Sequence, residues 1–207
     1  MQPEFFVFLV LVISLIVVPG PDMLYVVGRS LVHGRSGALY ASAGIAAGYL
    51  LFTGLVAVGV GVLFALDETV FRVVQICGLA YLTYLAWRLF RADGMMPEGA
   101  PNSTASKSGD FLFGVATSAL NPKGILFYFS ILPQFIVPAG GALWRQALIL
   151  GSTTSFLCLV IYCAAGLSAH AGSKRWVTSA SRRRTVARLA GVMLILAIAM
   201  IAGARFH

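Results

Sequence analysis

Apolar residues do not alternate along this chain; they run on. Six stretches of roughly 20 residues carry few charges, and polar stretches separate them. The first runs from about Phe5 to Gly28, the second from Ala38 to Leu63 and the third from Val70 to Phe90. After a longer polar stretch come Phe111 to Phe135, Trp144 to Ala169 and Val186 to Ala204. At 1.5 Å per residue, about 20 residues of helix cross the hydrocarbon core of a membrane, so each run predicts a spanning helix. Two of the runs are interrupted. Val18-Pro19-Gly20-Pro21-Asp22 stands inside the first, and Leu120-Asn121-Pro122-Lys123-Gly124 inside the fourth. Proline lacks an amide donor and its ring blocks the preceding turn, so both places predict a broken helix. In lipid a break persists only where the freed backbone groups face protein or a water-filled cavity.

Composition supports the same class. The chain has 207 residues, of which 59% are hydrophobic and 11% charged, with a mean hydropathy of +0.89. A soluble domain carries about 25% charged residues. The expected fold is an all-α integral membrane protein of six transmembrane helices, with nothing left over for a soluble domain. A net charge of +8 would point to nucleic acid in a soluble protein. In a membrane protein basic residues mark cytoplasmic loops and meet anionic lipids, and no nucleic-acid partner is expected.

The distribution of charge sets the orientation. Arg29, Arg35, Arg88, Arg91, Lys107, Lys174, Arg175, Arg182, Arg183, Arg184 and Arg188 fall on one side of a six-span chain. Only Arg72, Arg145 and Arg205 fall on the other, and Lys123 remains within a span. Eleven against three predicts both termini on the outer, periplasmic side. Met1-Gln2-Pro3-Glu4 lacks the positive start of a signal peptide, so the first run reads as a retained span. The stretch from Arg91 to Asp110 holds Gly94, Pro97, Gly99 and Pro101 and reads as a cytoplasmic linker. It divides the chain into a first repeat, about 1–90, and a second, about 111–207, within one transporter domain. Three spans per repeat is an odd number, so the two broken helices cross in opposite directions. That is the pattern of an inverted-topology repeat, with the first helix of each repeat broken.

Smaller features fill in the picture. Gly44 and Gly48 make a small-xxx-small step, expected to pack within the monomer in preference to a homodimer. Tyr81, Tyr84 and Trp87 beside Arg88 form an aromatic belt. Cys77, Cys158 and Cys163 all lie in apolar runs, and the last two are about 140° apart around a helix. They read as small hydrophobes, without a disulfide or metal site. Hydroxyls at Ser152 to Ser155 are expected chiefly to satisfy helix carbonyls, with Thr153 and Thr154 candidates to line a path.

The chemistry lies at the breaks. A broken helix offers a positive end at the new N-terminus and a negative end at the preceding C-terminus. Asp22 adds an acid to one break and Lys123 a base to the other. A zwitterion has the matching pair of charges. Its ammonium would meet Asp22 and the carbonyls of the first span; its carboxylate would meet Lys123 and the free amides of the fourth. The alternative is a direct Asp22–Lys123 ion pair that clamps the halves. Depth bears on both. Asp22 lies about 10 Å of helix before Arg29, and Lys123 about 20 Å beyond Asp110, which sets the two at different levels. His33 and His170 stand at helix ends, where interfacial histidines are ordinary.

These strings have a family likeness. Pro19-Gly20-Pro21-Asp22 followed by Gly28-Arg29-Ser30-Leu31 and Gly34 resembles the first signature of the lysine exporter family (LysE/RhtB type). Asn121-Pro122-Lys123-Gly124 with Leu132-Pro133-Gln134-Phe135 is similar to its second. Gly78-Leu79-Ala80-Tyr81-Leu82 and Gly151-Ser152-Thr153-Thr154 fall where the family has similar strings. The resemblance covers nearly the whole chain. It implies a bacterial inner-membrane exporter of amino acids or their derivatives, of threonine, homoserine or lysine type, driven by protons. Pro19, Gly20, Pro21, Asp22, Asn121, Pro122, Lys123 and Gly124 are then the residues of binding or coupling. Gln75 is a departure: many members carry a lysine there, so the third span has one charge fewer.

Other functions fit less well. An intramembrane protease needs paired acids, a Gly-x-Ser-x-Gly step with a histidine, or a His-Glu-x-x-His helix, and the spans hold none of these. No cysteine flanks either break, which disfavours a thiol carrier. An ion or small-metabolite channel would want rings of charge or a repeated filter motif. No enzyme activity and no cofactor or metal is expected.

Overall fold

A computed structural model describes residues 3–65 and 106–171, with single helical positions between 73 and 87 and between 185 and 199. Gln75, Cys77, the linker from 91 to 105, the basic run from Lys174 to Arg184 and most of the third and sixth apolar runs lie outside the described residues. Among the described residues every regular element is helical.

Helix α1 spans Pro3–Val17 and ends at the first break. Helix α2 spans Pro21–Ala65 and is two arms, because Gly34 stands at φ 65 and ψ −145 inside it. That positive φ suits glycine, which has no Cβ to clash with the backbone. The arms fold back on each other: the Tyr49 hydroxyl reaches the Asp22 carboxylate. In one straight helix those residues would be about 40 Å apart. The expected connection from Ser30 to Gly37 is thus helical except for one residue.

Helix α3 spans Lys107–Ala119 and starts before the expected Phe111. Ser106 caps it, its hydroxyl accepting from the Gly109 amide at 3.4 Å. Asp110 falls in the first turn, where the helix dipole favours an anion, and is buried rather than in a linker. After the second break comes α4, Pro122–Leu126. It widens into a π-helical turn at Phe127–Ile131 and tightens to a 3-10 turn at Leu132–Phe135, where Pro133 removes a further donor. Helix α5 spans Leu143–His170.

The second arm of α2 crosses α3 at close range. A Cβ on Gly44 would lie 2.1 Å from the Phe111 carbonyl oxygen, and one on Gly48 would lie 1.9 Å from Ser118 Oγ. The small-xxx-small step therefore packs within the monomer, as expected. Phe8, Leu11, Val12, Ile45, Tyr128, Ile131 and Tyr162 form the buried core between α1, α2 and the second half of the chain. The outer faces are apolar as well: Val58 is 86% exposed and Leu51 60%. The helices Pro21–Val62 and Leu143–His170 are long and apolar enough to cross a membrane. An all-helical fold with apolar faces both inside and outside is what lipid, rather than water, permits.

Candidate functional site

The site begins with a hydrogen bond that proline cannot make. In an uninterrupted α1 the Leu15 carbonyl would accept from the amide of residue 19, and Pro19 has none. Lys123 takes that place from the other half of the chain. Its Nζ donates to the Leu15 carbonyl at 3.0 Å and to the Val18 carbonyl at 3.4 Å. A cation at the negative end of a helix is electrostatically favoured. Gly20 lies beside it: a Cβ there would stand 3.4 Å from Nζ, an ordinary contact.

Lys123 is positioned by the second break. The Asn121 side-chain oxygen accepts from the Lys123 amide at 3.0 Å and caps α4, with Pro122 in the first turn. Gly124 follows because the Tyr49 ring lies against it; a Cβ there would come within 2.5 Å of Tyr49 Cε1. The same Tyr49 donates its hydroxyl to Asp22 Oδ2. One tyrosine thus touches both breaks. Its ring stacks on Tyr128 at 5.7 Å and 13°, and Thr53 Oγ1 donates to its carbonyl at 2.9 Å. The Tyr128 hydroxyl in turn donates to the Gly151 carbonyl at 3.1 Å on α5.

Asp22 sits in the first turn of α2, where the positive helix end favours a carboxylate, and is fully buried. No partner meets hydrogen-bond geometry at its Oδ1 or at Asn121 Nδ2, although the Tyr162 hydroxyl lies close to the carboxylate. A buried polar atom left unpaired costs about 1–3 kcal/mol. Two of them, on Asp22 and on Asn121, stand at the two breaks. Asp22 and Lys123 are not paired within 4.0 Å among the described residues. Between the breaks lies a cavity of about 20 Å³, lined by Val12, Tyr49, Lys123, Tyr128, Thr154 and Tyr162 among others. That volume holds about one water and is too small for an amino acid.

Both breaks therefore meet at one level, against the expectation of different depths. The first arm of α2 runs past Arg29 to His33, which puts Asp22 about 16 Å of helix from the turn. Thr154 lines the cavity and Thr153 does not. Both hydroxyls donate to their own helix, Thr153 to the Ile149 carbonyl at 2.8 Å and Thr154 to that of Leu150 at 3.0 Å. Cys158 is buried at the cavity wall and free of a disulfide.

A second polar cluster lies one arm's length away. Arg29 is 1% exposed and Asp110 is fully buried, although both read as loop charges in the sequence. Arg29 Nε pairs with Asp110 Oδ1, and His33 Nδ1 lies 2.7 Å from Asp110 Oδ2. The Tyr25 hydroxyl donates to the Asp110 carbonyl at 2.9 Å. His33 is therefore part of an ionic network and not an ordinary interfacial histidine. Arg29 and His33 are four apart on one helical face, and Asp110 is an acid at the very edge of an apolar run. Those were the available signals. Nearby, Ser30 Oγ donates to the Gly166 carbonyl at 2.5 Å, and a Cβ on Gly34 would lie 3.1 Å from the His170 ring.

Known proteins share this chain's sequence over most of its length. A homoserine/homoserine lactone efflux protein of Salmonella typhimurium is 30% identical over 187 residues, which cover 90% of each chain. A leucine efflux protein of Klebsiella pneumoniae is 32% identical over 134 residues, 64% of this chain and 63% of that one. An uncharacterised membrane protein of Bacillus subtilis is 27% identical over 190 residues. No solved structure matches the chain. The relatives with a named activity are efflux proteins and not enzymes, in line with the expectation from the sequence. Residues 13–202 match the LysE type translocators, and the chain belongs to that family.

Proposed function

We propose that the protein exports amino acids or amino-acid derivatives across the bacterial inner membrane, by proton antiport with alternating access. The substrates are zwitterions of the homoserine, threonine, lysine or leucine kind. The observation that carries this reading is Lys123. Its ammonium rests on the carbonyl end of α1, beside an Asp22 oxygen that has no partner. A substrate ammonium has the same chemistry and can replace it there. The displaced Lys123 and the first amides of α4 then meet the substrate carboxylate. A clamp made of an Asp22–Lys123 ion pair is less favoured, since the two are not within 4.0 Å. With the basic loops inside, both termini face the periplasm and the loops meet anionic lipid.

The test uses everted membrane vesicles and a panel of labelled homoserine, threonine, leucine, lysine and arginine. Saturable uptake of at least one of them, abolished when the pH gradient is collapsed, is the expected result. Uptake that never saturates would instead describe a channel. No uptake of any member moves the substrate outside the common amino acids.

A further inference from the structure

A second cavity, of about 440 Å³, lies where the start of α1, the stretch after α4 and the start of α5 meet. Its walls include Glu4, Phe8, Phe135, Gln146, Ile149 and Leu150. It is stacked directly on the central cavity. On α1, Phe8 lines the larger cavity and Val12, one turn on, lines the smaller. On α5, Leu150 lines the larger and Thr154, one turn on, the smaller. Two independent helices thus place the cavities one turn, about 5.4 Å, apart. What separates them is aromatic. Phe8 packs on Phe127, a wall of the central cavity, at 6.3 Å, and on Phe135 at 5.2 Å.

We propose that the larger cavity is an outer substrate site on the exit path, and that the Phe8 ring is the gate between it and the central site. This rests on the efflux reading given above. The cavity has room for an amino acid where the central one has not. Glu4 supplies a carboxylate at its wall, and Phe8 and Phe135 supply ring faces, a combination that suits an ammonium group. Gln146 holds the rim: its side chain accepts from the Val137 amide at 3.0 Å and donates to the Val137 and Gly141 carbonyls at 2.9 and 3.2 Å. A ring that leaves Phe127 needs only a rotation and a small shift of α1 to join the two cavities.

Accessibility tests this without knowing the substrate. In a protein without native cysteines, a charged impermeant thiol reagent is applied to right-side-out and to everted vesicles. Ile149→Cys should react from outside whatever residue stands at position 8. Val12→Cys should react slowly when Phe8 is present and about tenfold faster or more in the Phe8→Ala protein. Phe8→Trp, which keeps the wall closed, should leave Val12→Cys protected. Equal rates for Val12→Cys in all three backgrounds, with the protein present in the membrane, overturn the gate. Reaction of Ile149→Cys only in everted vesicles makes the cavity an entry and overturns the exit assignment. These readouts stand even if no amino acid is transported, so failure of the gate and failure of the efflux reading are separate results.

Discussion

Two buried charged clusters hold the halves of this protein together, and they are finished to different degrees. In the Arg29–His33–Asp110 cluster both Asp110 oxygens have partners, and Tyr25 takes the Asp110 carbonyl. At the breaks Asp22 keeps one oxygen without a partner, and Lys123 rests on backbone carbonyls instead of on an acid. A saturated network resists change, because every separation strands a charge. An unsaturated one has lost part of that resistance already and gains when a ligand arrives. The first arrangement is suited to holding a conformation; the second is suited to taking a ligand, as proposed above.

The largest effect that tests this contrast is expected at the saturated cluster. Arg29→Ala leaves Asp110 buried and unpaired, at a cost of about 3–5 kcal/mol. The membrane-inserted level and the unfolding midpoint in detergent should both fall. Adding Asp110→Ala should restore much of the loss, since no orphan charge remains. If the single variant is as stable as the parent, the cluster is not holding the halves.

Next comes Lys123→Ala. Transport should fall about 100-fold, equivalent to about 2.7 kcal/mol, while the protein stays in the membrane. The double variant Asp22→Ala with Lys123→Ala sharpens it. A clamp would let both folding and transport recover once both charges are gone; a zwitterion site recovers folding alone. Near-parental transport in the double variant removes both residues from substrate recognition.

Much of this was legible beforehand, and the reason is local. The breaks at Pro19–Pro21 and Pro122 follow from backbone chemistry within a few residues, and so does the packing step at Gly44 and Gly48. What the sequence hid depends on partners far apart along the chain. The Lys123 bonds to Leu15 and Val18 join residues more than 100 positions apart. Tyr49 was missed, although a hydroxyl-bearing ring in mid-span, away from the belts at membrane surfaces, was a signal. Arg29 and Asp110 were misplaced because charges near the ends of apolar runs usually face water; here α3 starts early enough to bury Asp110.

Smaller effects refine the contrast. Tyr49→Phe removes a hydrogen bond from the Asp22 carboxylate and should cost about 1.5–3 kcal/mol. Transport should fall more than stability, because the ring keeps its stacking on Tyr128 while the carboxylate loses its orientation. An equal loss of both would make Tyr49 a structural residue. Gly44→Ala, by contrast, forces α2 and α3 apart, since Phe111 oxygen cannot rotate away. It should cost about 1–3 kcal/mol of stability and leave substrate affinity in the folded fraction unchanged. A change in affinity would link that crossing to the breaks.

The seat of Lys123 on α1 has a consequence for how such a protein would respond to supply. The empty carrier already contains an ammonium group, tethered a fixed distance from the place where a substrate ammonium would go. A tethered competitor acts at an effective concentration of the order of millimolar. Free substrate must rise to a comparable level before it displaces the lysine. The carrier would therefore stay idle at ordinary pool sizes and engage when a metabolite accumulates, the behaviour of an overflow valve whose threshold is written into one side chain.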